Sequence, residues 1–301
     1  MLTPANSAHS SLPEAPPRIG DGREFAFDDR DFRRVCRIIH ALAGIHLGAH
    51  KHDMVYSRLV RRMRALRMER FGEYLDRVEA DAGGEAQQFV NALTTNLTSF
   101  FREEHHFGLL ATQLREAGAR GQGSPGQTIP LWCCAASTGE EPYSLAITAC
   151  EAFGTLAPPV RILATDIDTQ VLQTAARGMY PVDRIDTLDP AHKRRYFQRG
   201  TGANAGLCRV RPELQALIEF RPLNLLDDDY GLSGDYLAAF CRNVMIYFDK
   251  PTQYRVLQRI VPLLAPQGRL YAGHSESFHH AADLVVNCGR TVYRAATGGA
   301  R

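Results

Sequence analysis

Apolar residues recur at helical spacing from Phe25 to about Glu116, with no convincing strand among them. Phe32, Val35, Ile38, Ile39 and Leu42 form one stripe preceded by acids between Asp28 and Asp31, which predicts a first helix. From Met54 to Arg70, Val55, Leu59, Met63 and Leu66 hold a second stripe, while Arg58, Arg61, Arg62, Arg64, Arg67 and Arg70 fill the rest of the arc. The helical pattern continues through Phe71 to Ala80 and Ala86 to Leu93. Thr94 to Phe107 then mixes Asn96, Thr98 and Arg102 with Leu97, Phe100, Phe101 and Phe107. Its hydroxyls predict a helix cap, with Arg102 emerging in the first turns of the helix that follows.

The pattern breaks at Gly118 to Pro130, whose glycines and Pro125 predict a linker. Beyond it the period changes. An apolar run from Ile129 to Ala135 meets the small residues Ala136, Ser137, Thr138 and Gly139, and a helix begins at Glu140 with Pro142 near its start. Val160 to Ala164 predicts a second strand ending at Asp166 and Asp168, followed by a helix over Thr169 to Arg177. Arg199 to Arg211 carries Gly200, Gly202 and Gly206 between two β-prone runs, a glycine-rich hairpin or a flexible surface loop. Strands over Ile218–Arg221, Tyr236–Arg242, Arg269–Gly273 and Thr291–Ala295, with a helix over Pro251–Leu264, complete an α/β alternation.

Composition narrows the class. The chain has 301 residues, 45% of them hydrophobic, enough for a full core, and its length predicts division into two domains because one core rarely grows so large. Net charge is +2, so any basic partner surface must be local, and the arginine helix is the densest candidate. It is either a solvated face or a contact for an acidic partner. With no interleaved aromatics for base stacking, protein is favoured over nucleic acid. Seven cysteines without framework spacing argue against a disulfide scaffold, and no Cys-x-x-Cys or His-Glu-x-x-His spacing predicts a metal site. No stretch approaches about 20 apolar residues, and residues 1–24 are polar and Pro-rich. A soluble cytoplasmic protein with a disordered tail is expected.

The strand, turn and helix from Ile129 to Phe153 can set bare backbone against a nucleotide-like ligand. Glu140 and Glu141 would repel a pyrophosphate, which turns the expectation toward a cationic or hydroxyl-bearing ligand. An acidic residue closing the second strand is where a doubly wound sheet holds ribose hydroxyls, and Asp166 stands there. G-x-G-x-x-G is absent, so an adenosine-type ligand is favoured over NAD.

TTNLTSFFRE, AASTGEEPYSLA, ATDIDTQVL, LNLL, CRNVMIYFDK and YAGHSESF, in that order, closely resemble the CheR family of chemotaxis receptor methyltransferases, from about Phe25 to Arg294. The resemblance implies a helical domain over 25–117, a linker over 118–130 and a Rossmann-like S-adenosylmethionine domain over 131–301 with an antiparallel β-subdomain at about 192–222. It implies methylation of glutamate side chains on chemoreceptors by a monomer, with S-adenosylhomocysteine as product. It places Asn96, Thr98, Arg102, Glu141, Asp166, Asn224, Leu225, Arg242 and Asn243 around the cofactor, with Ala135, Ala136 and Gly139 giving the backbone its close approach. Arg102 and Tyr247 are the expected catalytic pair, although Tyr247 also suits a packing role. Arg58, Arg61, Arg62 and Arg67 would steer a glutamate-rich receptor helix. Gly200, Gly202, Gly206 and Arg209 resemble the loop that tethers a receptor's C-terminal pentapeptide. The competing readings are a non-catalytic S-adenosylmethionine-responsive receptor scaffold and a methyltransferase for another acceptor.

Overall fold

The computed structural model describes residues 23–296. Four helices open it: α1 (Asp29–Ala43), α2 (His52–Leu66), α3 (Phe71–Glu79) and α4 (Glu85–Leu93). Asp28 caps α1 by accepting from the Arg30 and Asp31 amides while Asp31 reaches back to the Asp28 amide, a reciprocal box that fixes where the helix begins. Val35, Ile39, Leu59, Met63, Phe71, Tyr74 and Phe89 interlock as a separate apolar core. The tail expected over 1–24 lies almost wholly outside the described residues. Arg23 and Glu24 are described, and they pair with Asp53 and Arg64 on α2.

The next helix, α5 (His105–Ala119), falls on the other side of the domain division from the one expected. Its Phe107, Leu110, Leu114 and Ala117 belong to the core of the sheet domain, so the two cores part near residue 94 and not at 118–130. The segment at the true division carries no glycine or proline to mark it.

The sheet domain continues with β1 (Ile129–Cys133), α6 (Glu140–Phe153), β2 (Val160–Asp166) and α7 (Thr169–Arg177). A side module follows: β3 (Met179–Pro181), α8 (Pro190–Tyr196), β4 (Phe197–Arg199), β5 (Leu207–Val210) and α9 (Pro212–Gln215). The chain then returns through β6 (Ile218–Pro222), β7 (Tyr236–Phe240), α10 (Lys250–Ile260), β8 (Leu264–Tyr271), β9 (Val285–Asn287) and β10 (Val292–Ala295). The main sheet runs β6-β2-β1-β7-β8-β10-β9; its first five strands are parallel, and β10 and β9 are antiparallel. The side module is an antiparallel sheet, β3-β5-β4. It therefore begins at Met179, earlier than the expected 192, and β6 belongs to the main sheet.

Alternation along β1 sends Leu131 and Cys133 to the core beneath α5 and α6, and Trp132 and Cys134 to the core beneath α10. Five of the seven free cysteines are buried, Cys36 is half-buried, and Cys288 at the end of β9 is exposed.

Candidate functional site

The carboxyl ends of β1, β2, β6 and β7 open into one cleft of ≈ 210 Å³, roofed by the helical domain. From the sheet come Ala135, Ser137, Glu141, Asp166, Asn224, Leu225, Arg242 and Asn243. From the helical side come His46, Lys51 and the segment Leu93–Thr98, and Arg102 and Tyr247 complete the wall. The lid is stitched down by polar contacts: Asn224 Nδ2 donates to Leu42 O (2.8 Å), the His46 amide to Tyr247 O (3.0 Å) and Gln87 Nε2 to Ile167 O (2.9 Å).

Arg242 is buried at the back of the cleft and shared between two carboxylates, with Nη1 2.6 Å from Glu141 Oε2 and Nη2 3.2 Å from Glu103 Oε2. Nη2 also donates to Arg102 O at 2.5 Å. Burial raises the Glu141 carboxyl above its usual range, opposed by the Arg242 charge and a contact from Cys133 Sγ. Burial would raise Glu103 too, but hydrogen bonds from His274 and the Arg242 charge prevail and hold it at about 2. Asp166 accepts from the amides of Ser137 (2.8 Å) and Asp168 (2.9 Å), yet burial pushes it up to about 6. Phe101, Glu103, Ser137 and Asn243 all have positive φ, between 48° and 58°. Such concentration of left-handed non-glycine backbone marks a site where the fold imposes geometry against local preference.

Several expected residues prove to have other work. Asn96 lines the cleft, but its Nδ2 is committed to Asp168 Oδ2 at 2.9 Å. Thr95 to Thr98 form no helix cap, and Arg102 lies in a turn before α5. Ala136 and Gly139 do not reach the cleft. Gly139, with φ of 100°, permits tight packing: a Cβ there would come within 2.8 Å of Ala175 Cβ and 2.7 Å of the Tyr180 hydroxyl. Glu140 turns away to pair with Arg184 and with Thr138 Oγ1.

The arginine helix is also partly committed. Arg58 Nη1 donates to Leu93 O (3.0 Å) and Thr94 O (2.6 Å), closing the end of α4, and burial lowers its pKa. Arg62 forks onto buried Glu85 with contacts of 2.7 and 2.8 Å. Arg61 and Arg67 are exposed and form no ion pair among the described residues. In the side module β4 is an outer strand, Arg209 is exposed, and Gly202 and Gly206 take positive φ. A Cβ on Gly200 would strike Asn204 O at 2.1 Å, so the turn itself demands that glycine. Among the cleft residues missed in the sequence are Lys51, His46, Thr94 and Ser137, with Glu103 and Asp168 behind them. Only the acid after β2 carried a local signal.

Residues 96–294 match the family described as the CheR methyltransferase SAM binding domain, and residues 30–94 match the CheR methyltransferase all-alpha domain. The chain belongs to the CheR methyltransferase family. The two matches meet where the two cores part. Among CheR relatives, the chain is 51% identical over 278 residues to "Chemotaxis protein methyltransferase 2" of Pseudomonas aeruginosa, covering 92% of this chain and 97% of that protein. It is 50% identical to the chemotaxis protein methyltransferase of Klebsiella aerogenes (97% of this chain, 96% of that one) and 49% identical to that of Escherichia coli (89% and 91%). S-adenosylmethionine is thus the cofactor class, and the donor set fits it. The acids Glu141 and Asp166 stand in the lining of the cleft, as suits a ligand with an ammonium, a sulfonium and a ribose diol.

Proposed function

We propose that this protein esterifies glutamate side chains on chemoreceptors, adjusting signal output in chemotaxis. The observation that carries the reading is Arg102. It lines the cleft, spends Nη1 on Leu97 O (2.9 Å) and forms no ion pair among the described residues, so most of its planar donor set is available to a carboxylate. A glutamate acceptor has an ordinary pKa of about 4.3 and is ionised at neutral pH, so no general base is required.

S-adenosylmethionine supplies an electrophilic methyl carbon. Glu141 and Asp166 would hold its ammonium and ribose ends, Ala135 leaves space for the adenosine, and Arg102 aligns the acceptor oxygen. Tyr247, which also lines the cleft, adds a hydroxyl that orients the same carboxylate. Rate enhancement then rests on alignment of two bound partners, for which effective molarities of about 10⁵ M or more are attainable. Exposed Arg61 and Arg67 supply the attraction for a glutamate-rich helix. The outer strand β4 offers an edge on which a receptor's C-terminal pentapeptide adds as a further strand, beside Arg209. No described helix is long and apolar enough to cross a membrane, and a cytoplasmic monomer meeting receptors from their cytoplasmic side is the working arrangement.

Incubation with radiolabelled S-adenosylmethionine and chemoreceptor-containing membranes tests the reading. Label should enter the receptor and be released by mild alkali as methanol. Arg102→Ala should lower transfer at least about a hundredfold, the scale for loss of a well-aimed charge-stabilising donor, with an unchanged unfolding midpoint. Cofactor binding without label transfer would favour a scaffold, and alkali-stable label would indicate another acceptor. Calorimetry with tail pentapeptides decides the tether.

A further inference from the structure

Glu276 follows β8 in the turn that begins at Gly273, lines no part of the cleft and is 4% exposed. Its Oε2 accepts from the Asn243 amide at 3.0 Å and the Gly273 amide at 2.5 Å, and the amides of Met245 and Ile246 also point at the carboxylate. Its Oε1 has no hydrogen-bond partner. A single carboxylate oxygen therefore ties the start of the turn after β7 to the turn after β8, and the first of these brings Asn243, Val244, Tyr247 and Phe248 to the cleft.

Asn243 is gripped a second time. Its Nδ2 lies 3.3 Å from Glu103 Oε1, and Glu103 also takes Arg242 Nη2 and the amide and ring of His274. Between these carboxylates Asn243 holds φ of 58°, a conformation that Asn tolerates better than most residues. The fit is close from the third side as well. A Cβ on Gly273 would sit 2.4 Å from Asn243 Nδ2, so only glycine lets β8 end this near the turn.

Resting on the methyltransferase reading of the cleft, we propose that Glu276 is a positioning residue: acting from behind the turn, and with Glu103 on the far side of Asn243, it holds the β7 turn in the shape that receives S-adenosylmethionine. A burial-raised carboxylate has no packing advantage at this place; an apolar side chain would leave the turn amides without an acceptor. The arrangement makes cofactor affinity depend on a residue that never touches the cofactor.

The test compares full-length wild type, Glu276→Gln, Glu276→Asp, Asn243→Ala and the Glu276→Gln/Asn243→Ala double variant. Two quantities are read: the S-adenosylhomocysteine dissociation constant by calorimetry and the unfolding midpoint without ligand. Glu276→Gln should weaken binding about tenfold with a midpoint within a few degrees of wild type. Glu276→Asp, which keeps the charge, should recover part of the loss. Adding Glu276→Gln to Asn243→Ala should cost nothing further, because both act through the same turn. Undiminished affinity in Glu276→Gln, losses that multiply in the double variant, or a midpoint lowered by more than about ten degrees would each overturn the assignment, the last by making the carboxylate a requirement of the fold. Failure of wild type itself to bind S-adenosylhomocysteine would strike the methyltransferase reading instead.

Discussion

At Asp166, folding and ligand binding pull one carboxylate in opposite directions. Burial lifts its pKa to about 6 from an ordinary value near 3.9. Because the folded value is the higher one, this group's contribution to stability declines as pH rises between the two values. At neutrality the ionised form costs roughly 3 kcal/mol, at about 1.4 kcal/mol per unit. A ligand whose hydroxyls donate to the ionised form recovers part of that cost. S-adenosylhomocysteine affinity should therefore be level above pH 6 and fall toward tenfold per unit below it. Calorimetry at pH 7.5, 6 and 5 reads this directly, and a flat profile would detach Asp166 from the ligand. The places of Asp166, Glu141 and Arg242 at the cleft were legible in the sequence because each stands at or beyond the carboxyl end of a strand in a long recognisable motif. Glu103 and Glu276 were not, since their partners lie 140 and 33 residues from them along the chain and their role depends on left-handed turns that no local pattern announces.

Among the elements, α2 shows the limit of reading charge along one helix. Its apolar stripe was plain, and so was its excess of arginines. What neutralises them was hidden, because the acids come from elsewhere: Glu85 on α4 for Arg62 and Glu24 before α1 for Arg64. The helix thus has two classes of arginine, and they should separate by experiment. Arg58→Ala strips the α4 carbonyls of a charged donor and should cost about 1.5–3 kcal/mol of stability by urea unfolding. Arg61→Glu and Arg67→Glu should leave stability within about 0.5 kcal/mol, as surface changes do, while raising the KM for receptor. Added salt should imitate the second class, weakening receptor methylation far more than S-adenosylhomocysteine binding. An equal response of both would remove the electrostatic contact. The same limit misplaced α5: its periodicity resembles that of α1 to α4, and the Gly/Pro-rich stretch behind it is a stronger break signal than Thr94 to Thr98 before it.

For the molecule as a whole, the cleft belongs to neither domain alone. The helical domain contributes Ala43 to Leu47, Lys51 and Leu93 to Thr98, and the sheet contributes the strand ends. Ligand should therefore steady both sides at once. Hydrogen exchange in saturating S-adenosylhomocysteine should slow for the amides around 45–47 in the helical domain as well as 243–247 in the sheet domain. Slowing confined to the sheet side would mean that the helical domain only covers the cleft. The alternation of strands and helices, and the all-helical start, could be read from the sequence. The docking of one upon the other could not, because Asn224 to Leu42 and Gln87 to Ile167 are single contacts across long separations.

The distribution of thiols has a practical corollary. Five are sealed in the interior and Cys36 is shielded with a raised pKa, so Cys288 is the natural attachment point for a maleimide dye. It lies in the turn between β9 and β10, beside the carboxyl end of β8 and several strands to the side of the cleft floor at β1 and β2. A fluorophore there would share the catalytic end of the sheet but stand to the side of the cleft, placed to report receptor docking, and no cysteine would first have to be engineered away.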